Sequence, residues 1–198
     1  MHESSLRHMR RLVDTYLKES SSLTIADLGA MDINGCYRSL FERPNWRYLG
    51  IDLSPGPNVD CVLNSPYRLP FANNSIDLFL SGQAFEHIEF FWLTWLEMAR
   101  IVKPGGLIFL IAPSRGPQHR YPVDCWRFYP DGFAALAKYA AMDLLEVHTD
   151  WEPNGDPDSA LWGDTVGVFR KRSQSAVRRL TDNITRYLRY WIMPGFRY

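Results

Sequence analysis

The sequence predicts an α/β fold in which a mostly parallel sheet carries helices on both faces. Short apolar runs with no polar alternation, bounded by Gly and Pro, suit strands buried on both sides. Segments of helical period lie between several of these runs, as crossover connections require. The last two runs, at residues 144–149 and 165–170, are separated by Pro- and Gly-bearing sequence with no helix-length segment. Those two strands are therefore expected to pair antiparallel.

In chain order, Leu6, Met9, Val13, Tyr16 and Leu17 recur at helical spacing and predict an amphipathic helix over residues 4–18, basic side chains outward. Three serines then lead into a first strand that opens the segment IADLGAMDING, residues 25–35. Tyr37, Leu40 and Phe41 give the next helix an apolar face, and Pro44 ends it. Strands are expected at 47–52, 59–63, 76–80 and 107–112. A helix over 89–102 turns Trp92, Leu93, Leu96 and Ala99 inward and is closed by Lys103-Pro104-Gly105-Gly106. A further helix spans 130–140.

The chain has 198 residues, long enough for one such domain and short for two. Lysine plus arginine equals aspartate plus glutamate at 22 each, so overall charge gives no argument for nucleic acid. Residues 170–198 are the exception, with eight basic side chains against Asp182 alone. From residue 173 a stripe of Val177, Leu180, Ile184, Tyr187, Leu188 and Trp191 is interleaved with arginines. Core packing, a partner helix or copy, and a membrane surface all fit this pattern. The expected division is thus a domain over 1–172 and a basic amphipathic helix over 173–198. Three cysteines without C-x-x-C spacing suggest neither a disulfide framework nor a zinc cluster, and a reducing cytoplasm fits them best. No stretch approaches the roughly 20 apolar residues of a membrane span.

A strand, a tight turn at Gly29 and a following helix N-terminus form a nucleotide site in outline. Asp52 ends the second strand 23 positions beyond Gly29, where an acidic side chain can accept both hydroxyls of an adenosine ribose. The three-glycine dinucleotide fingerprint is missing, which argues against a nicotinamide-dependent oxidoreductase.

Four ordered strings now resemble the class I S-adenosylmethionine-dependent methyltransferases: DLGA, LGIDLS, YRLPFANNSIDLFLSGQAFEH and EMARIVKPGGLIFLIAPS. The resemblance runs from about residue 25 to 145 and implies a three-layer, Rossmann-like, seven-stranded sheet, mostly parallel with an antiparallel last strand. LNSPYRLPF and HRYPVDCWRFYPDG further resemble a bacterial subgroup associated with glycan or secondary-metabolite modification. The implied cofactor is S-adenosyl-L-methionine, held by Gly29, Ala30, Asp32, Asn34, Gly35, Asp52 and Leu53. Asn64 and Ser65 stand near the adenine, and Gln83 beside the sulfonium. Where relatives carry glycines this chain has Ala30 to Asn34, so Asp32 would meet the cofactor ammonium and Gly35 admit its carboxylate.

A hydroxyl nucleophile needs a base, and His87, at the carboxyl edge of the fourth strand, is the first candidate. His119 or Asp124, on the long connection after the fifth strand, can serve instead. Arg120, Tyr121, Trp126 and Arg127 on the same connection suit a polar ring, by stacking and edge hydrogen bonds. Nothing in the spacing forms a metal triad, so metal-independent transfer is expected. The sequence thus points to O-methylation of a small molecule, with a saccharide as one candidate and no specific nucleic acid. The alternative is a catalytically inactive binding or scaffold module.

Overall fold

The structure is a computed structural model that describes residues 2–152 and 157–173. In chain order it contains α1 (Glu3–Tyr16), β1 (Leu23–Leu28), β2 (Trp46–Asp52), β3 (Cys61–Val62) and β4 (Ile76–Gly82). Then come α2 (Phe91–Ile101), β5 (Val102–Pro113), α3 (Pro130–Ala140), β6 (Met142–Thr149), α4 (Pro157–Trp162) and β7 (Asp164–Lys171). All seven strands join one sheet in the order β3-β2-β1-β4-β5-β7-β6. Pairing is parallel from β3 through β5. β7 alone is reversed, antiparallel to both β5 and β6.

Strand residues alternate between two apolar layers. Ile25, Leu78, Phe109, Val166 and Val168 face α1, where Met9, Leu12 and Val13 pack with Phe41. Ala26, Phe79, Ile108, Leu110 and Phe169 face α2 and α3, meeting Trp95, Met98, Ile101, Phe133 and Leu136. Trp95 is fully buried; its ring lies 4.6 Å from Phe169 and its Nε1 donates to the Leu136 carbonyl at 2.8 Å. The one polar atom of a large apolar side chain is thereby satisfied.

Four expectations are corrected. The helix carrying Tyr37, Leu40 and Phe41 is a four-residue 3-10 turn, Arg38–Phe41. Tyr37 and Phe41 are buried as expected, but the Tyr37 hydroxyl bonds Ser5 at 2.6 Å and Pro44 follows too soon for more turns. The inward face of α2 is Thr94, Trp95, Glu97, Met98 and Ile101, with Leu93 and Ala99 only part-buried. Two polar side chains enter that face because they have partners: Thr94 donates to the Pro66 carbonyl at 3.0 Å, and Glu97 accepts the Leu69 amide at 3.0 Å. Residues 103–106 belong to β5, across a register shift opposite Ile76 and Leu78, with Gly105 at φ 81°. β3 is only two residues long. The basic stripe predicted from residue 173 lies almost wholly outside the described residues.

Candidate active site

Leu28 of β1 pairs with Ile51 of β2 and with Ser81 of β4, so three carboxyl ends lie side by side. Gly29 follows at φ 80°, and its amide and that of Ala30 both donate to the Ile51 carbonyl, at 3.0 and 3.2 Å. A Cβ at Gly29 would lie 2.5 Å from that of Ala84, so both angle and space require glycine. Asp52 stands beside this turn, accepting the Met31 amide at 3.1 Å on Oδ2 and the Ser54 amide at 3.3 Å on Oδ1. Each oxygen keeps a second acceptor site, which a ribose diol can use. Leu53, 47% exposed, offers an apolar surface next to it.

The loop is pinned from behind. The Asp32 amide donates to Pro57, the Asp32 carboxylate accepts the Gly35 amide at 2.7 Å, and Asn58 donates to the Ala30 carbonyl at 2.6 Å. Asp32 therefore serves its own loop, Asn34 and Gly35 are exposed, and among the described residues a 3-10 turn, not an α-helix, follows them. Asn64 is exposed, while Ser65 is buried and accepts the Tyr67 amide at 3.2 Å.

Asp27, which sequence reasoning passed over, is buried near the end of β1 and accepts a hydrogen bond from Tyr48. Burial raises its carboxyl to about 7 against the pull of that bond. The overlooked signal was its place in DLGA, two residues before the Gly29 turn. Gln83, at φ 58°, has its amide nitrogen on Asp164 at 2.8 Å and Ser5 at 3.3 Å. Ser4 donates to the same Asp164 at 3.0 Å. A Cβ on Gly82 would lie 1.9 Å from the Tyr37 hydroxyl, so α1, Tyr37 and β7 close over the ends of β1 and β4.

The predicted acceptor residues divide into two groups. His87 ends a 3-10 turn, and its Nδ1 lies 2.6 Å from the Val123 carbonyl. A carbonyl only accepts, so Nδ1 carries the proton and Nε2 presents a lone pair, 3.6 Å from Glu86 Oε1. Burial lowers the His87 pKa, keeping it neutral near pH 7. His119 packs edge-on against His87 at 4.8 Å, and Tyr121 lies about 6 Å from both rings. Asp124 accepts the His119 amide at 2.7 Å and two Arg127 bonds at 2.7 and 3.0 Å. Arg127 holds that carboxyl well below the usual range, which makes it a weak base. Glu86, also unforeseen, is 1% exposed with no hydrogen bond to either carboxylate oxygen, and burial pushes it up to about 8.

Trp126 turns away from this group. Its Nε1 donates to the Ile88 and Glu89 carbonyls, and its ring lines a cleft of about 650 Å³ with Phe91, Phe128, Tyr129 and Trp151. Tyr129 and Trp151 are stacked there at 6.0 Å. Arg127 borders both groups, whereas Arg120 is exposed on the connecting loop.

Residues 27–110 match the family model described as a methyltransferase domain. The chain is 33% identical over 135 residues to an uncharacterized methyltransferase of Mycobacterium avium strain 104, covering 62% of this chain and 52% of that protein. It is 33% identical over 155 residues to one of Mycobacterium leprae strain TN, covering 68% and 56%. The chain thus spans about half the length of the curated relatives it matches. Among solved structures, the 1,6-didemethyltoxoflavin-N1-methyltransferase of Burkholderia thailandensis, with S-adenosylhomocysteine bound, superposes with a TM-score of 0.66 at 17% identity, covering 86% and 80%. The 4+2 cyclase SpnF superposes with a TM-score of 0.64 at 13% identity, covering 84% and 82%. In its sheet order, its Gly29 turn, its Asp52 edge and these matches, the chain is similar to the class I S-adenosylmethionine-dependent methyltransferases.

Proposed function

We propose that this chain transfers a methyl group from S-adenosylmethionine to a hydroxyl of a small molecule. The observation that carries the reading is the Asp52 carboxylate, part-exposed, one strand from the Gly29 turn. Asp52 and Leu53 hold the nucleoside, and Gly29 and Ala30 let it approach the backbone. The bound cofactor supplies an electrophilic methyl on its sulfonium. In-line approach of the acceptor oxygen provides most of the acceleration, and the imidazoles of His87 and His119 are the groups able to take its proton. The stacked pair Tyr129 and Trp151 in the aromatic cleft suits the face of a sugar or another flat ring. Calorimetry with S-adenosylmethionine tests the cofactor claim: intact protein binds, and Asp52→Ala binds at least about tenfold more weakly, the scale of a lost hydrogen bond to a charged group. No binding by intact protein overturns it.

The second reading, a binding or scaffold module, is favoured by one observation. The Gln83 amide and Tyr37, where the methionine end would lie, are engaged by Ser5 and Asp164. A fold neighbour named as a cyclase shows that this architecture also serves proteins named for other reactions. A labelled methyl group reaching any member of a panel of glycosides and phenols excludes the module reading; cofactor binding with no labelled product favours it.

A further inference from the structure

We propose that Glu86, His87 and His119 form a binding site for a divalent cation of the zinc type. The three side chains come from two segments 32 positions apart, and one ligand atom from each lies within 4.8 Å of the others. Two imidazoles and a carboxylate are a borderline nitrogen and oxygen donor set. Three protein ligands also leave a coordination position open, as in zinc sites that act on a bound oxygen.

Three observations show atoms waiting for such a partner. Both Glu86 oxygens are covered from solvent and receive no hydrogen bond, so the carboxyl carries its charge there only when a cation compensates it. The Val123 carbonyl fixes the His87 proton on Nδ1 and leaves the Nε2 lone pair turned toward Glu86. His119 Nδ1 is also buried without a hydrogen bond, 3.4 Å from Asp124 Oδ2. The frame around them is already built: the Cys125 and Trp126 amides both donate to the Glu86 carbonyl, tying the loop to the turn. The molecule supplies its own contrast in His8, His148 and Asp150, a second group with metal-like spacing. There Asp150 Oδ2 takes both His8 Nε2 at 2.8 Å and the Ser159 hydroxyl at 3.3 Å, so the carboxylate is already engaged.

The binding claim stands on these side chains alone; its consequence for methyl transfer rests on the function proposed above. With the cation in place the imidazoles act as ligands. An acceptor hydroxyl in the open position would be acidified by the cation and lose its proton to solvent; the alkoxide lone pair then forms the O–C bond as the methyl C–S bond of the sulfonium breaks and S-adenosylhomocysteine leaves.

The test uses untagged full chain, stripped with chelator and titrated with zinc chloride by calorimetry and with cobalt chloride by visible absorption. Expected are one equivalent at this site with a cobalt d–d spectrum, and at least about tenfold weaker binding in Glu86→Gln and in His119→Ala. Glu86→Gln preserves shape and removes only the charge, and circular dichroism checks that both variants are folded. His8→Ala leaves the binding unchanged. Failure of intact protein to bind either metal, or binding untouched by both variants, or binding lost in His8→Ala alone, overturns the proposal. Because no methyl transfer is measured, a negative result here is separate from a failure to bind S-adenosylmethionine.

Discussion

The two sides of the sheet edge treat buried polar groups in opposite ways. On the β1–β2 side the loop is closed upon itself. Asp52 accepts two amides, Asp32 accepts Gly35, Asn58 donates to Ala30, and Asp27 has Tyr48. On the side of β4 and β5, Glu86, His119, Arg127 and Ser114 each keep a buried polar atom without a hydrogen bond. Among the described residues, no such atom lies between positions 23 and 65. A cradle that binds one invariant cofactor can be satisfied in advance by its own backbone. A site that must receive a varied acceptor or an ion keeps donors and acceptors unmet until the ligand arrives.

The largest test of this contrast is in pH. Asp27 ionises near pH 4 in the unfolded chain and near 7 in the fold, so between those values the native state holds the extra proton. Stability is therefore full below pH 4 and falls as pH rises to 7, by at most about 4 kcal/mol. Burial sets this shift, with the Asp52 charge adding to it and Tyr48 and Arg38 opposing it. Chemical denaturation across that range checks it, and Asp27→Asn flattens the Asp27 part of the slope. Glu86 adds a decline of the same sign that extends to about pH 8.

Gly29→Ala comes next. A left-handed φ and a 2.5 Å contact together destabilise by about 3 kcal/mol, read as a shift in the urea midpoint. The sharpest test is smaller and lies in sign. Asp52→Ala removes an acceptor from two amides and lowers stability by about 1 kcal/mol. Glu86→Leu replaces an unpartnered buried carboxyl and raises the stability of metal-free protein by about 1–2 kcal/mol. Equal signs for the two substitutions would erase the distinction between the two sides.

Much of the architecture could be read from the chain because it follows local rules. The helix Pro130–Ala140 begins at a proline where its missing amide costs nothing. The antiparallel pairing of β6 and β7 was legible because no helix-length segment separates them in the sequence. What sequence could not show depends on distant partners. The inward face of α2 shifted because Glu97 and Thr94 meet the segment at 66–69. The helix after β1 shrank because Tyr37 bonds Ser5, 32 positions earlier. At the candidate site, the places of His87 and Asp52 by the strand ends were legible in the sequence. Glu86 was not, since a glutamate in FEH reads as solvated until His119 and the loop at 123–126 cover it.

The docking of α1 carries a consequence for biosynthesis. Ser4 reaches Asp164 across 160 positions, and Met9, Leu12 and Val13 rest on Val166 and Val168. A helix made among the first residues therefore has no complete seat until the last described strand has been synthesised. Throughout translation its apolar stripe is exposed to solvent and to chaperones, and high contact order slows its final closure. The same event brings Ser5 and Asp164 onto Gln83, so this part of the sheet edge takes shape only once β7 has been made.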